Sequence, residues 1–170
     1  MNWDLDEEVA EILSKAASEL LVPREVRERP PILDRVGVEA ILPYRDPFLL
    51  VDRVTWLDLD AGLVVARYDL ARAAAVFAGH FPRYPVWPGV LQIEAIGQTG
   101  GLLYLMQTHE RNRASFALTR IAGARFSRPV TPPGDVEIVA RVLDEGLLVN
   151  VIGQCLQDGA ICSAAAVTFL

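Results

Sequence analysis

The chain has 170 residues, 52% of them apolar, and sets 22 acidic against 16 basic side chains for a net charge of -6 at pH 7. That balance, with a sequence pI near 4.9, argues against a nucleic-acid partner. No stretch reads as a membrane span, because the best candidate, residues 86–106, is interrupted by Pro88, Glu94 and several glycines. The length suffices for one good core, burying about 70% of the surface an unfolded chain exposes. A mean hydropathy of +0.27 is high for a monomer and points to surface hidden by dimerisation.

Along residues 1–22, Trp3, Leu5, Val9, Ile12, Leu13 and Ala16 recur at largely helical spacing among acids, which predicts an amphipathic helix. The acidic start lacks the positive region of a signal peptide, so a cytoplasmic location is the default expectation. Pro23, Pro30 and Pro31 then mark a charged linker, dividing the chain into residues 1–31 and a main domain over 32–170. Strands are predicted near 48–58 and 62–71, with Asp60-Ala61-Gly62 turning between them. An apolar run from Gly89 to about Thr108 reads as a helix apolar on nearly every side, and therefore buried. Four more strands are predicted near 113–128, 135–143, 146–156 and 161–169, separated by Pro-Pro-Gly, Glu-Gly and Asp-Gly signals. Strands around one buried helix make an α+β fold.

Within the apolar helix, Gly97, Gly100 and Gly101 each cost roughly 1 kcal/mol of helix propensity against alanine, and close approach of a surrounding sheet is the expected offset. Cys155 and Cys162 straddle the Asp158-Gly159 turn. A two-residue loop would set them directly opposite, with Cα atoms about 5.5 Å apart. A disulfide fits that geometry, but a reducing cytosol favours two small buried thiols.

The chemistry concentrates in Gly79-His80-Phe81-Pro82 and in the run from Pro88 to Glu94, with His80 and Glu94 fourteen positions apart. Proline is tolerated in a first helical turn, so Gly89 is expected at a helix N-terminus. There, unpaired amides and the positive end of the dipole favour negative charge, such as the oxygen of a polarised carbonyl. Glu94 and Gln98, four apart, share a face, so the amide can fix the carboxylate. Desolvation raises the Glu94 pKa and the helix start lowers it, and the two effects oppose each other. Imidazole, carboxylate and anion-stabilising amide are the parts of a proton-abstraction enzyme. On residue types alone, an ordinary loop histidine and a salt-bridged helix carboxylate weigh about equally against that reading. His80 and His109 are the only histidines, and no ligand set for zinc accompanies His109.

The string GHFPRYPVWPGVLQIEAIGQTGG (residues 79–101) resembles the signature of the β-hydroxyacyl-acyl-carrier-protein dehydratases of the hot-dog fold, of the type that only dehydrates. LPYRDPFLLVDRV (residues 42–54) and ARFSRPVTPPGD (residues 124–135) are similar to two further family segments in the same order, so the likeness runs from Leu42 to Leu170. The resemblance implies an antiparallel sheet wrapped around a long helix. It implies His80 as base, Glu94 as acid, the Gly89 amide as donor to the thioester oxygen, and Gln98 as the residue that holds the acid. A glutamate at position 94 matches the dehydratase-only branch, where the bifunctional branch has aspartate. It further implies a homodimer in which His80 meets Glu94 of the other subunit, and a larger oligomer is compatible. No cofactor or metal is implied, since the substrate rides on the phosphopantetheine of an acyl carrier protein. Phe81 and Val90 flank the catalytic positions and join the expected substrate set.

Charge adds a partner expectation. Residues 1–28 hold eight acids against three bases, whereas Arg111, Arg113, Arg120, Arg125 and Arg128 lie in a stretch without an acid. With Arg83 beside the catalytic turn, some of these could dock an acidic carrier protein; the alternative is ordinary solvated strand positions. Tyr44 stands where the family usually has histidine, Ala122 where an acid is usual, and Pro132-Pro133 adds a proline. These departures bear on the pocket mouth and the substrate; fatty-acid synthesis and a specialised polyketide or polyene route both stay open, with the N-terminal extension and the altered entrance tilting slightly toward the specialised one. Two competing readings are a hot-dog thioesterase, which would release free thiol, and a non-catalytic acyl-binding subunit, which would lack a catalytic residue.

Overall fold

A computed structural model of the chain describes residues 8–108, 117–145 and 148–170. Trp3, Leu5, His109, Arg111 and Arg113, named above, lie outside the described residues. Among the described residues there are five helices, α1 (Glu8–Ser18), α2 (Arg24–Arg27), α3 (Arg35–Glu39), α4 (Ala74–Phe77) and α5 (Gly89–Gln107), the fourth preceded by a 3-10 turn over Leu70–Ala73. Six strands, β1 (Arg53–Asp58), β2 (Leu63–Asp69), β3 (Leu118–Phe126), β4 (Asp135–Glu145), β5 (Val149–Gln157) and β6 (Ala160–Phe169), form one sheet in the order β1-β2-β4-β5-β6-β3. Every pairing is antiparallel.

Side-chain alternation along the strands sorts the two faces. Val151, Ala165 and Val167 join the core around α5, while Ile152, Ala164 and Ala166 pack against Val9, Leu13 and Ala16 of α1. The long helix therefore fills one face and the N-terminal helix covers the other. This is why β5 is buried over nearly its whole length instead of alternating as a half-wet strand would. Gln154, fully buried among those strands, ties the N-terminal segment down: its Oε1 accepts from Leu21 N at 3.1 Å and its Nε2 donates to the carbonyls of Ala16 and Glu19.

The expected close approach at the helix glycines is present. A Cβ at Gly97 would stand 2.0 Å from the Phe169 ring and one at Gly100 2.6 Å from Val151, while from the sheet side a Cβ at Gly153 would meet Ile96 at 2.5 Å. Phe169 is 1% exposed and has nowhere to retreat. Gly97→Ala gains about 1 kcal/mol of helix propensity, but overpacking a core typically costs about 1–3 kcal/mol or more. The expected result is a lower midpoint in thermal unfolding, and a variant as stable as the parent would show that the helix does not need the gap.

Three sequence expectations need correction. Residues 48–52 form no strand; β1 begins at Arg53 because Phe48 O and Leu50 N are bound to the Gln98 side chain of α5, and Asp52 N is the first of these groups to reach β2. The short helices α2, α3 and α4 are too brief for periodicity to register. The Asp158-Gly159 loop does close Gln157 onto Ala160 with φ of 51° and 79°. A bulge between the Leu156–Ile161 and Cys155–Ser163 pairs, however, sets Ser163 opposite Cys155, leaving Cys162 as the extra residue. Both cysteines are free and buried, and desolvation pushes the Cys155 thiol up to about 12.

Candidate active site

The turn that carries His80 is built from the end of α4. Both Gly79 N and His80 N donate to Val76 O, at 3.1 and 2.9 Å, and Val86 N returns to His80 O at 3.0 Å. Inside this closed loop, His80 Nδ1 lies 2.8 Å from Val86 O. A carbonyl only accepts, so Nδ1 carries a proton, and the tautomer this selects has its lone pair on Nε2. Phe81 stacks on the imidazole at 4.2 Å between centroids while remaining 55% exposed.

Trp87 then anchors the chain, fully buried, stacked on Tyr68 and donating its backbone N–H to Val130 O at 2.7 Å. Pro88 is the N-cap of α5 and supplies no side-chain cap, while its carbonyl accepts from Leu91 and Gln92. The N–H groups of Gly89 and Val90 thus have no backbone acceptor among the described residues. Gly89 also gives space, since a Cβ there would press 2.7 Å from the Phe126 ring.

His80, Val86, Gly89, Gln92, Phe126 and Arg128 line one open cleft of about 370 Å³. Gln92 and Phe126 went unnoticed in the sequence. Gln92 donates to Trp87 O at 3.2 Å and accepts from the Ser163 hydroxyl at 2.6 Å, locking the start of the helix to β6. A buried polar residue in the first turn of an otherwise apolar helix was the signal for it.

Glu94 stands apart from this cleft. Five residues beyond Gly89, it points about 140° around the helix from it. Gln98, 1% exposed, donates from Nε2 to Glu94 Oε1 at 3.0 Å and to Phe48 O at 2.8 Å, and accepts from Leu50 N at 2.8 Å. The amide expected to steady the acid is itself clamped by the 48–50 loop. Tyr44 tilts against Phe48 at 6.3 Å, and burial, reinforced by the Glu94 carboxylate, pushes its phenol up to about 12. No hydrogen bond or ion pair joins His80 to Glu94 within the chain.

The arginines divide between two places. Arg83 is exposed next to the histidine turn and Arg128 lines the cleft. Arg120 and Arg125 lie on the edge strand β3, paired with Thr168 and Ala164, and a bulge between Ile121 and Gly123 puts both on the face that α1 covers. None of the four makes an ion pair among the described residues.

An antiparallel sheet curled around one long buried helix, with the histidine turn entering at that helix's start, defines a hot-dog-fold protein. The solved chain titled the dehydratase heterocomplex ApeI:P from Xenorhabdus doucetiae shares this fold, with a TM-score of 0.64 at 18% identity over 78% of this chain and 88% of that one. Residues 42–165 match the FabA-like domain family. The 3-hydroxyacyl-[acyl-carrier-protein] dehydratase FabZ of Anaeromyxobacter sp. (strain K) is 40% identical over 144 residues, covering 83% of this chain and 92% of the relative. The protein of the same name in Xylella fastidiosa (strain M12) is 40% identical over 109 residues, covering 63% and 68%. The chain belongs to the FabA-like family, and within it to the FabZ-type dehydratases.

Proposed function

We propose that the enzyme removes water from β-hydroxyacyl thioesters carried on the phosphopantetheine of an acyl carrier protein, giving trans-2-enoyl thioesters, with His80 as base and Glu94 as acid. The observation that carries the assignment is the pairing, in one cleft, of a free His80 Nε2 with the unpaired Gly89 amide. The thioester oxygen accepts from the Gly89 N–H as Nε2 takes the α-proton. The C–H electron pair becomes the new double bond, the C–O bond breaks, and Glu94 gives its proton to the departing hydroxyl. His80 then holds the substrate's α-proton while Glu94 lacks the proton that left with the water, and transfer through solvent resets both. Removing one preorganised donor of the Gly89 kind costs about a hundredfold to a thousandfold in other enzymes.

The working unit in this reading is a homodimer with His80 and Glu94 supplied by different subunits. Val90, Phe81, Phe126 and Ile121 are 70, 55, 53 and 49% exposed around the cleft and the edge strand, more apolar surface than a soluble monomer ordinarily leaves wet. Residues 1–31 are an addition to a catalytic domain over 32–170, and no cofactor beyond the carrier's own arm enters the scheme. Two free buried thiols fit a reducing cytoplasm. No helix among the described residues is long and apolar enough to cross a membrane.

Incubation with a β-hydroxyacyl-carrier substrate, read by mass, tests the reaction. Loss of one water with the carrier still attached supports dehydration, and release of free thiol would replace it with thioester hydrolysis. Carrier docking belongs to the arginines at the cleft, Arg83 and Arg128, with Arg120 and Arg125 as the comparison on the other sheet face. Reversing Arg83 and Arg128 to glutamate is expected to slow the carrier-bound substrate at least about tenfold at low salt while sparing a small thioester. Equal effects on both substrates would reject docking at this mouth.

A further inference from the structure

Four charged residues join two parts of the site that otherwise stand apart. Asp52 is 7% exposed, accepts from Asp69 N at 2.7 Å and from Arg35, and forms an ion pair with Arg72 Nε at 2.8 Å. Asp46, six residues earlier, accepts from Arg35 Nη2 at 2.5 Å and lies 3.8 Å from Arg72 Nη1. The two arginines therefore bracket both ends of the segment 46–52. Between those ends lie the Phe48 carbonyl and the Leu50 amide that grip Gln98, and through it Glu94. Arg72 stands in the 3-10 turn that runs without a break into α4, whose Val76 carbonyl receives the amides of Gly79 and His80.

We propose that Arg72 is a positioning residue: through Asp46 and Asp52 it fixes the loop that holds the acid against the turn that carries the base. The inference rests on the reading of His80 and Glu94 given above. If those groups serve different sites of a dimer, each Arg72 bears on both sites at once. The 48–51 backbone is not paired with a strand and Asp52 N alone reaches β2, donating to Arg67 O at 2.8 Å, so the place of residues 46–51 depends on these contacts. A buried carboxylate persists only when paired, and Asp52 uses its two oxygens to reach three partners from three segments. The Arg72 side chain is 43% exposed, and Arg35 stays to neutralise Asp52 when it is removed. Its loss therefore loosens the loop without opening the core.

Arg72→Met is expected to lower kcat about tenfold to a hundredfold, the scale on which a misplacement of about 1 Å acts, with KM within about twofold of the parent. Measurements are made where circular dichroism shows both proteins folded. Because Arg72 acts through the Gln98 clamp, Arg72→Met added to Gln98→Leu should cost little beyond Gln98→Leu alone. Asp46→Asn, at a side chain 62% exposed, asks the same question with no bearing on the core and should lower kcat in the same direction. Arg67→Met is the control, since Arg67 pairs with Glu137 beside α2 and should leave kcat unchanged. A folded Arg72→Met enzyme with parental kcat, or losses that multiply fully with Gln98→Leu, overturns the positioning role. His80→Ala and Glu94→Gln run alongside: if they keep the parental rate, the reading of the site fails and this inference falls with it. If they lose it while Arg72→Met does not, the positioning role alone fails.

Discussion

His80→Ala is expected to lower kcat on a β-hydroxyacyl-carrier substrate by about a hundredfold to ten-thousandfold, the range that a positioned general base contributes. The ring touches its surroundings through one hydrogen bond, Nδ1 to Val86 O, and through the exposed face of Phe81. Deleting it therefore costs the fold about 0.5–1.5 kcal/mol, far less than it costs the reaction. KM should change little, because in the proposed reaction Nε2 engages only the proton that moves. Imidazole added to the variant can enter an open cleft of about 370 Å³ and should restore part of the rate. A His80→Ala enzyme within about fivefold of the parent, measured by water loss, would remove His80 from the reaction.

The same residues show what the sequence could and could not say. The long helix was legible because Pro88-Gly89 punctuates its start and its apolar residues run all the way round, a pattern that leaves only burial as an outcome. Its glycines were legible as a cost needing an offset, and Phe169 and Val151 are that offset. Spacing of four revealed the contact of Gln98 with Glu94. It could not reveal that Gln98 is gripped by Phe48 and Leu50, since nothing local connects positions fifty apart. The loop at 48–52 read as strand because Phe48, Leu49, Leu50 and Val51 carry strand propensity, and tertiary bonding overrode it.

Register failed for a related reason. The Asp158-Gly159 turn sets Gln157 against Ala160 and Leu156 against Ile161, as its length demands. The next step is decided from across the core. The bulge turns Ser163 to the α5 side, where its hydroxyl reaches Gln92 Oε1 at 2.6 Å; without it Ser163 would pair with Gln154 on the opposite face. Likewise the proton on His80 Nδ1 follows from the Val86 carbonyl, which no spacing rule locates. The N-cap Asp34 of α3 was a usable local signal, accepting from Gly37 N at 2.9 Å, for a helix too short to show a period.

Two inactive variants should make an active enzyme. In the proposed homodimer and with the proposed roles, His80→Ala lacks the base and Glu94→Gln replaces the acid with an amide that cannot give up a proton to the leaving hydroxyl, so each variant alone should fall by at least about a hundredfold. Co-expression of the two with different affinity tags allows the mixed dimer to be purified. If each site draws His80 from one subunit and Glu94 from the other, the mixed dimer holds one site with both groups intact and one with neither. Its rate should return to about half that of the parent. If both groups of a site came from the same chain, each site of the mixed dimer would lack one of them and the rate would stay at the level of the homodimers. The geometry favours restoration, because Glu94 projects away from the Gly89 cleft and Gln98 holds it there by one hydrogen bond, its own amide being fixed by two more to Phe48 O and Leu50 N. Reaching His80 of its own chain would mean breaking that clamp, whereas a second chain can bring its histidine to a carboxylate already in place.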